Sequence, residues 1–195
     1  MTNTEIGEKL YTIEEFLALD LPDDQDYELI GGQLVAKPGT TNFRHGVIVV
    51  QIAHYLESFG GISSAKPLGL VASGISTTLG EPLNSGKTFP KPDVCFVAAD
   101  RLPADIKKID ILEVAPDLVV EVNSPSDTEE RKFDKLQAYQ DAGVKLIWSV
   151  HVLGEYVLVF QSDKPNRPTA VTLDQELDGG SVLPGFRLPV KDIFK

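Results

Sequence analysis

The sequence predicts an α/β fold (α+β mixed), with a sheet core flanked by helices. Three observations carry that expectation. Residues 118–120 form an unalternated apolar run that continues through Glu121 to Val122, and such a run implies a central strand covered on both faces. A charged helical stretch follows it and meets Gly143, a favourable C-terminal stop. Residues 27–37 and 145–161 each read as two short strands around a glycine-bearing turn, Gly31-Gly32 in the first and Leu153-Gly154 in the second.

Taken in order, Thr12-Ile13-Glu14-Glu15 fits a capping box, with Thr12 as N-cap and Glu15 returning the bond, and opens a short helix through Leu19. In the hairpin at 27–37, Glu28 projects from one face of the first strand. It is either a solvated edge residue or a third acid at a metal site. Asn42 is placed to cap a helix over 43–59. Val47, Val50, Ala53, His54 and Leu56 approximate its apolar stripe, widened by Ile48 and Ile52. His45 lies in the first turn, where a surface or capping contact is the commoner role. Strands are expected at 68–72, 74–79 and 93–99, with a Gly/Pro/Asn/Ser loop at 80–92. Residues 100–115, with Arg101, Lys107 and Lys108, make a connection long enough to act as a flap. Ser126-Asp127-Thr128-Glu129 reads as a second capping box for a helix reaching Ala142. A further strand is expected at 169–173, and Phe186, Ile193 and Phe194 tuck the tail against the core. With no internal repeat or linker, residues 1–195 read as a single domain.

Composition narrows the function classes. The 195 residues carry a net charge of −11 and a pI near 4.7, so bulk charge does not hold this chain on nucleic acid. One cysteine excludes an internal disulfide framework and a cysteine-rich zinc site, and Cys95, in PDVCFVA, reads as a small core residue. The N-terminus lacks an apolar signal core and no apolar run reaches membrane-spanning length, so the expectation is a cytoplasmic protein with no membrane partner.

The chemistry-bearing residues are Asp93, at the head of one apolar strand, and Glu121, near the end of another. Ionised carboxylates are costly to bury without a partner. Two acids on neighbouring strands repel each other unless a cation lies between them. Oxygen-only ligands suit magnesium or manganese. Lys132, Lys135 and Tyr139, spaced i, i+3 and i+7, share a helix face that can point back at Glu121. A purely structural account pairs Glu121 with Lys132 or Lys135 for stability and makes Asp93 a turn residue. A nucleophilic hydrolase is disfavoured: no G-x-S-x-G elbow is present and Cys95 has no evident histidine partner.

The order PDVCFV, PDLVVEVNSPSD, K-x-x-x-Y-x-x-x-G from Lys135 to Gly143 and then the Trp148 strand resembles the Uma-two family of restriction endonucleases, a bacterial branch of the PD-(D/E)XK nuclease superfamily. Thr12-Ile-Glu-Glu-Phe, Tyr27-Glu-Leu-Ile, His45 before the long helix and Leu183-Pro-Gly-Phe extend the resemblance over nearly the whole chain. It implies a restriction-endonuclease-like mixed sheet core flanked by helices, with extra N-terminal and C-terminal β-hairpins. It implies an endonuclease acting on DNA, with Asp93 and Glu121 as ligands of Mg2+ or Mn2+, Glu28 joining them, and a homodimer as the working unit. The superfamily's usual lysine position, two residues after the second acid, holds Asn123. Lys135, or alternatively Lys132, then supplies the ammonium from the helix. Gly31 and Gln33 replace the family's acidic residues at the hairpin turn, and His151 replaces an aspartate closing the tryptophan strand. The alternative reading is a nuclease fold kept as a non-catalytic binding or assembly module.

Overall fold

A computed structural model describes residues 9–22, 24–37, 43–106, 110–124, 128–165 and 167–195. Asn42, Lys107, Lys108, Ser126 and Asp127, to which the sequence assigned caps and a flap, lie outside the described residues. The first helix, α1, spans Ile13–Leu17 with the expected capping box complete: Thr12 Oγ1 accepts from Glu15 N at 3.1 Å and Glu15 Oε2 accepts from Thr12 N at 3.0 Å. Strands β1 (Tyr27–Ile30) and β2 (Gln33–Ala36) pair antiparallel about Gly31 and Gly32, whose φ angles of 57° and 84° are the left-handed conformation a tight hairpin demands. This hairpin is not part of the main sheet. It docks through Leu29, which exchanges backbone hydrogen bonds with Phe89, and through Gly32 N to Lys87 O. Ile13, Phe16, Leu29 and Phe89 make a small apolar core beneath it.

Helix α2 (Phe43–Gly60) packs against a six-stranded sheet of β3 (Gly69–Ser73), β4 (Val94–Ala98), β5 (Leu118–Asn123), β6 (Leu146–His151), β7 (Tyr156–Gln161) and β8 (Thr169–Val171), in that spatial order. Only β5 and β6 run parallel, joined by helix α3 (Glu129–Asp141) as a crossover. A two-stranded hairpin, β9 (Glu176–Asp178) with β10 (Arg187–Pro189), and the short helix α4 (Val190–Ile193) complete the chain.

Side chains alternate along β5 and divide the interior in two. Leu118, Val120 and Val122 face α2, together with Phe96, Trp148 and Val150 and the C-terminal Phe186 and Ile193. Val119 faces the other way, with Cys95, Ile147 and Tyr139 of α3. Glu121 shares that second face.

Several expectations change. The buried ridge of α2 is Ile48, Ile52, Leu56 and Gly60, an i, i+4 row, while Val50 is 67% exposed and His54 faces solvent. The stripe is therefore rotated toward Ile48 and Ile52, the residues read as widening it. No strand forms at 74–79: Thr77 makes a single bridge to Leu112. The same segment ties down the C-terminal end of the 100–115 connection, with Thr78 N bonded to Leu112 O and Thr77 Oγ1 to Val114 O, each at 3.0 Å. The N-cap of α3 is Thr128, whose Oγ1 accepts from Arg131 N. Gly143, φ +76°, ends the helix as expected.

Candidate active site

The antiparallel register of β4 and β5 sets Val94 opposite Val120. Asp93 immediately precedes β4, and its side chain reaches β5 next to Glu121. Asp93 Oδ2 accepts from Val122 N at 2.7 Å, which fixes the carboxylate against the neighbouring strand. From the first turn of α2, His45 brings Nε2 to 3.3 Å from the same oxygen. Burial pushes the Asp93 carboxyl up, but the His45 contact, the charges of Lys37 and Lys135 and the Val122 N–H together hold it below the usual carboxylate range.

Glu121 is treated differently. Its Oε1 accepts from the Tyr139 hydroxyl at 2.6 Å and lies 2.8 Å from Lys135 Nζ. Burial raises its pKa to about 7: Lys135 opposes the rise, while the negative charges of Asp93 and Glu28 add to it. Glu28 is only 2% exposed, so the solvated-edge reading of this residue does not hold. Its Oε1 accepts from Lys91 N at 2.6 Å and from Lys135 Nζ at 3.0 Å, and Lys37 Nζ stands 3.7 Å away. Lys135 thus bridges Glu28 on the hairpin and Glu121 on the central strand. Burial works against its charge, but Glu121, Glu28 and Asp93 outweigh burial and raise its pKa, so the group is a fixed ammonium. Burial, with the nearby acids, also pushes the Tyr139 phenol well above its usual value, leaving it a hydrogen-bond donor.

The two candidate lysines separate cleanly. Lys135 meets the acids, whereas Lys132 pairs with Glu129 one turn earlier, at 2.8 Å. Both line a cavity of about 870 Å³ between the hairpin, α3 and the sheet, and Asp93, Glu121 and His45 line it too. Asn123, where the superfamily's lysine would stand, donates from Nδ2 to Ser149 Oγ at 2.8 Å and so belongs to the cavity wall. His151, beside Asn123 in the parallel register, stacks on Tyr156 with ring centroids 4.4 Å apart. Burial and the charge of Lys132 hold its imidazole below the usual pKa.

The site's donor chemistry suits a hard divalent cation. Among the described residues, the side-chain contacts of Asp93 fall on Oδ2 and those of Glu121 on Oε1, leaving each a second oxygen. Burial first, and then the neighbouring acids Asp93 and Glu28, disfavour the charged form of Glu121. Among the described residues, however, no group of three or more His, Cys, Asp or Glu side chains is arranged to hold a metal, and the contacts of Glu28 go to Lys91, Lys135 and Lys37. Lys37 was missed by sequence reasoning. It directly follows β2, and its place in the site comes from packing across 54 positions, its Nζ donating to Lys91 O at 2.9 Å.

A family model described as "Uma2: Putative restriction endonuclease" matches residues 13–191. The fold is similar to that of a solved protein from Anabaena variabilis described as a "putative nuclease belonging to DUF820", with a TM-score of 0.79 at 19% identity, covering 94% of this chain and 97% of that one. No curated protein matches the chain. No helix among the described residues is long and apolar enough to cross a membrane.

Proposed function

The chain belongs to the Uma2 family, whose description supports a nuclease, and we propose that it is a metal-dependent endonuclease hydrolysing DNA phosphodiester bonds. The observation that carries this reading is that Asp93, immediately before β4, and Glu121 of β5 line one cavity, with Lys135 Nζ 2.8 Å from Glu121. Asp93 and Glu121 would hold Mg2+ or Mn2+. When bound, such an ion lowers the pKa of a water and polarises a phosphodiester. The protein's own groups have separate tasks. Val122 N–H and His45 orient Asp93, and Tyr139 orients Glu121. Lys135, charged throughout the neutral range, cannot take a proton from water. Its task is to donate to a phosphoryl oxygen as negative charge develops there. Glu28 aims that ammonium.

A second reading, a non-catalytic binding module, is favoured by the Lys135 bridge. The ammonium already pairs with two of the acids, and among the described residues no three-ligand cluster is preformed. Incubation of purified protein and DNA with magnesium or manganese separates the two. Nicking or cutting that disappears in Asp93→Ala and Glu121→Ala, with both variants folded, supports the nuclease. Cleavage that survives both substitutions overturns the site, and absence of manganese binding in calorimetric titration favours the binding module. A homodimer would present two such cavities to two strands, and gel filtration with light scattering measures that.

A further inference from the structure

The ammonium of Lys37 is poorly satisfied for its depth. Its side chain is 25% exposed and lines the same cavity as the acids. A lysine carries three N–H donors. One goes to the Lys91 carbonyl at 2.9 Å, and the nearest carboxylate, Glu28, lies 3.7 Å off, with its Oε1 already serving Lys135 and Lys91 N. Lys135 has two direct carboxylate contacts, at 2.8 and 3.0 Å. Among the described residues, Lys37 therefore keeps donors that no protein group takes, within electrostatic reach of both Asp93 and Glu121. An additional anion in the cavity would complete it. The arrangement places one ammonium on the hairpin and a second on α3, so a polyanion entering between these elements meets a cation from each.

We propose that Lys37 is a substrate-binding residue, donating to a phosphate oxygen of the nucleic-acid strand that lies in the cavity. This rests on the nuclease reading above for the identity of the strand. Lys37 also anchors the hairpin end to Lys91, so the test must separate binding from anchoring. Lys37→Met keeps the length and apolar stem and removes the charge, while Lys37→Arg restores a cation.

Fluorescence anisotropy with a labelled DNA duplex, in calcium in place of magnesium and over a range of salt, reads the effect. Lys37→Met should bind about tenfold more weakly at low salt. Its slope of log affinity against log salt should flatten by roughly one, the signature of one lost phosphate contact. Lys37→Arg should recover most of both, and thermal melting controls for hairpin loss. An unchanged salt slope in folded Lys37→Met overturns the inference while leaving the nuclease reading intact. Failure of the wild-type protein to bind the duplex overturns both. A flattened slope in a protein that cuts nothing with manganese supports the phosphate contact and overturns only the catalysis.

Discussion

Asp117, immediately before β5, and Glu121, toward its end, stand four positions apart, and the fold compensates them in opposite ways. Asp117 is 1% exposed. Its Oδ2 accepts from Ala98 N at 2.8 Å, and its Oδ1 meets Arg101 and Lys145, each at 2.9 Å. Burial alone would push this carboxyl up, but the Ala98 N–H and the two cations overcome it, and its pKa is lowered. Glu121 has one ammonium shared with Glu28, a phenol donor and two acids for neighbours, and its pKa rises to about 7. One end of β5 is closed electrostatically from within the chain. The other holds a carboxyl whose charged form burial and two neighbouring acids disfavour.

Exchanging each acid for its amide tests this contrast directly. Glu121→Gln should reduce DNA cleavage by at least about a hundredfold while shifting the melting temperature by only about 3 °C or less, since it removes a charge that the fold already disfavours. A large drop in melting temperature would make Glu121 a structural acid like Asp117. Asp117→Asn should do the reverse, with cleavage per folded molecule kept and stability lowered by about 2 kcal/mol through weakened charge-assisted bonds. In a chain of this size that corresponds to about 4–8 °C, read by calorimetry.

The pH dependence sharpens the contrast. Asp117 has a depressed folded pKa, so its stabilisation is present above its unfolded value of about 3.9 and lost as pH falls through the folded one. The acid limb of the stability curve should therefore flatten in Asp117→Asn. Glu121 has the opposite sign: its raised pKa costs stability as pH climbs from its unfolded value of about 4.3 toward 7, so Glu121→Gln should remove part of that decline. If Glu121 holds a metal, manganese uptake below about pH 7 should release a proton and tighten as pH rises, then level off. Calorimetric titration in buffers of different ionisation enthalpy measures the released proton, and pH-independent affinity would remove Glu121 from the ligand set. The smallest effect is expected at Tyr139→Phe, which deletes a single donor to Glu121. About 1 kcal/mol of stability should be lost, and the pH midpoint for manganese binding should move upward.

Features governed by short-range chemistry were legible without coordinates. The Thr12 capping box depends on two side chains three residues apart, and the Gly31-Gly32 turn on backbone sterics alone; both form as read. The apolar run of β5 marked the central strand, because burial on two faces leaves no polar alternation. That run also exposed Glu121 as an acid needing a partner. Asp117, one residue before the same run, carried an equally strong signal and was passed over, although its partners could not have been named from the sequence. Likewise α2 offered two overlapping apolar rows, and the choice of Ile48, Ile52 and Leu56 was made by the sheet it lies on.

The sequence by itself determined the strand–helix–strand frame and put one acid at the edge of each of two apolar strands, since propensity, capping and patterning act over a few residues. Tertiary structure alone decided which charges meet. It turned Lys135 toward Glu121, buried Glu28 on the inner side of its hairpin, brought Lys37 to the cavity and gave Asp117 two cations from separate segments. Each of those outcomes depends on the packing of segments far apart in the chain, and residue spacing carries no record of that distance.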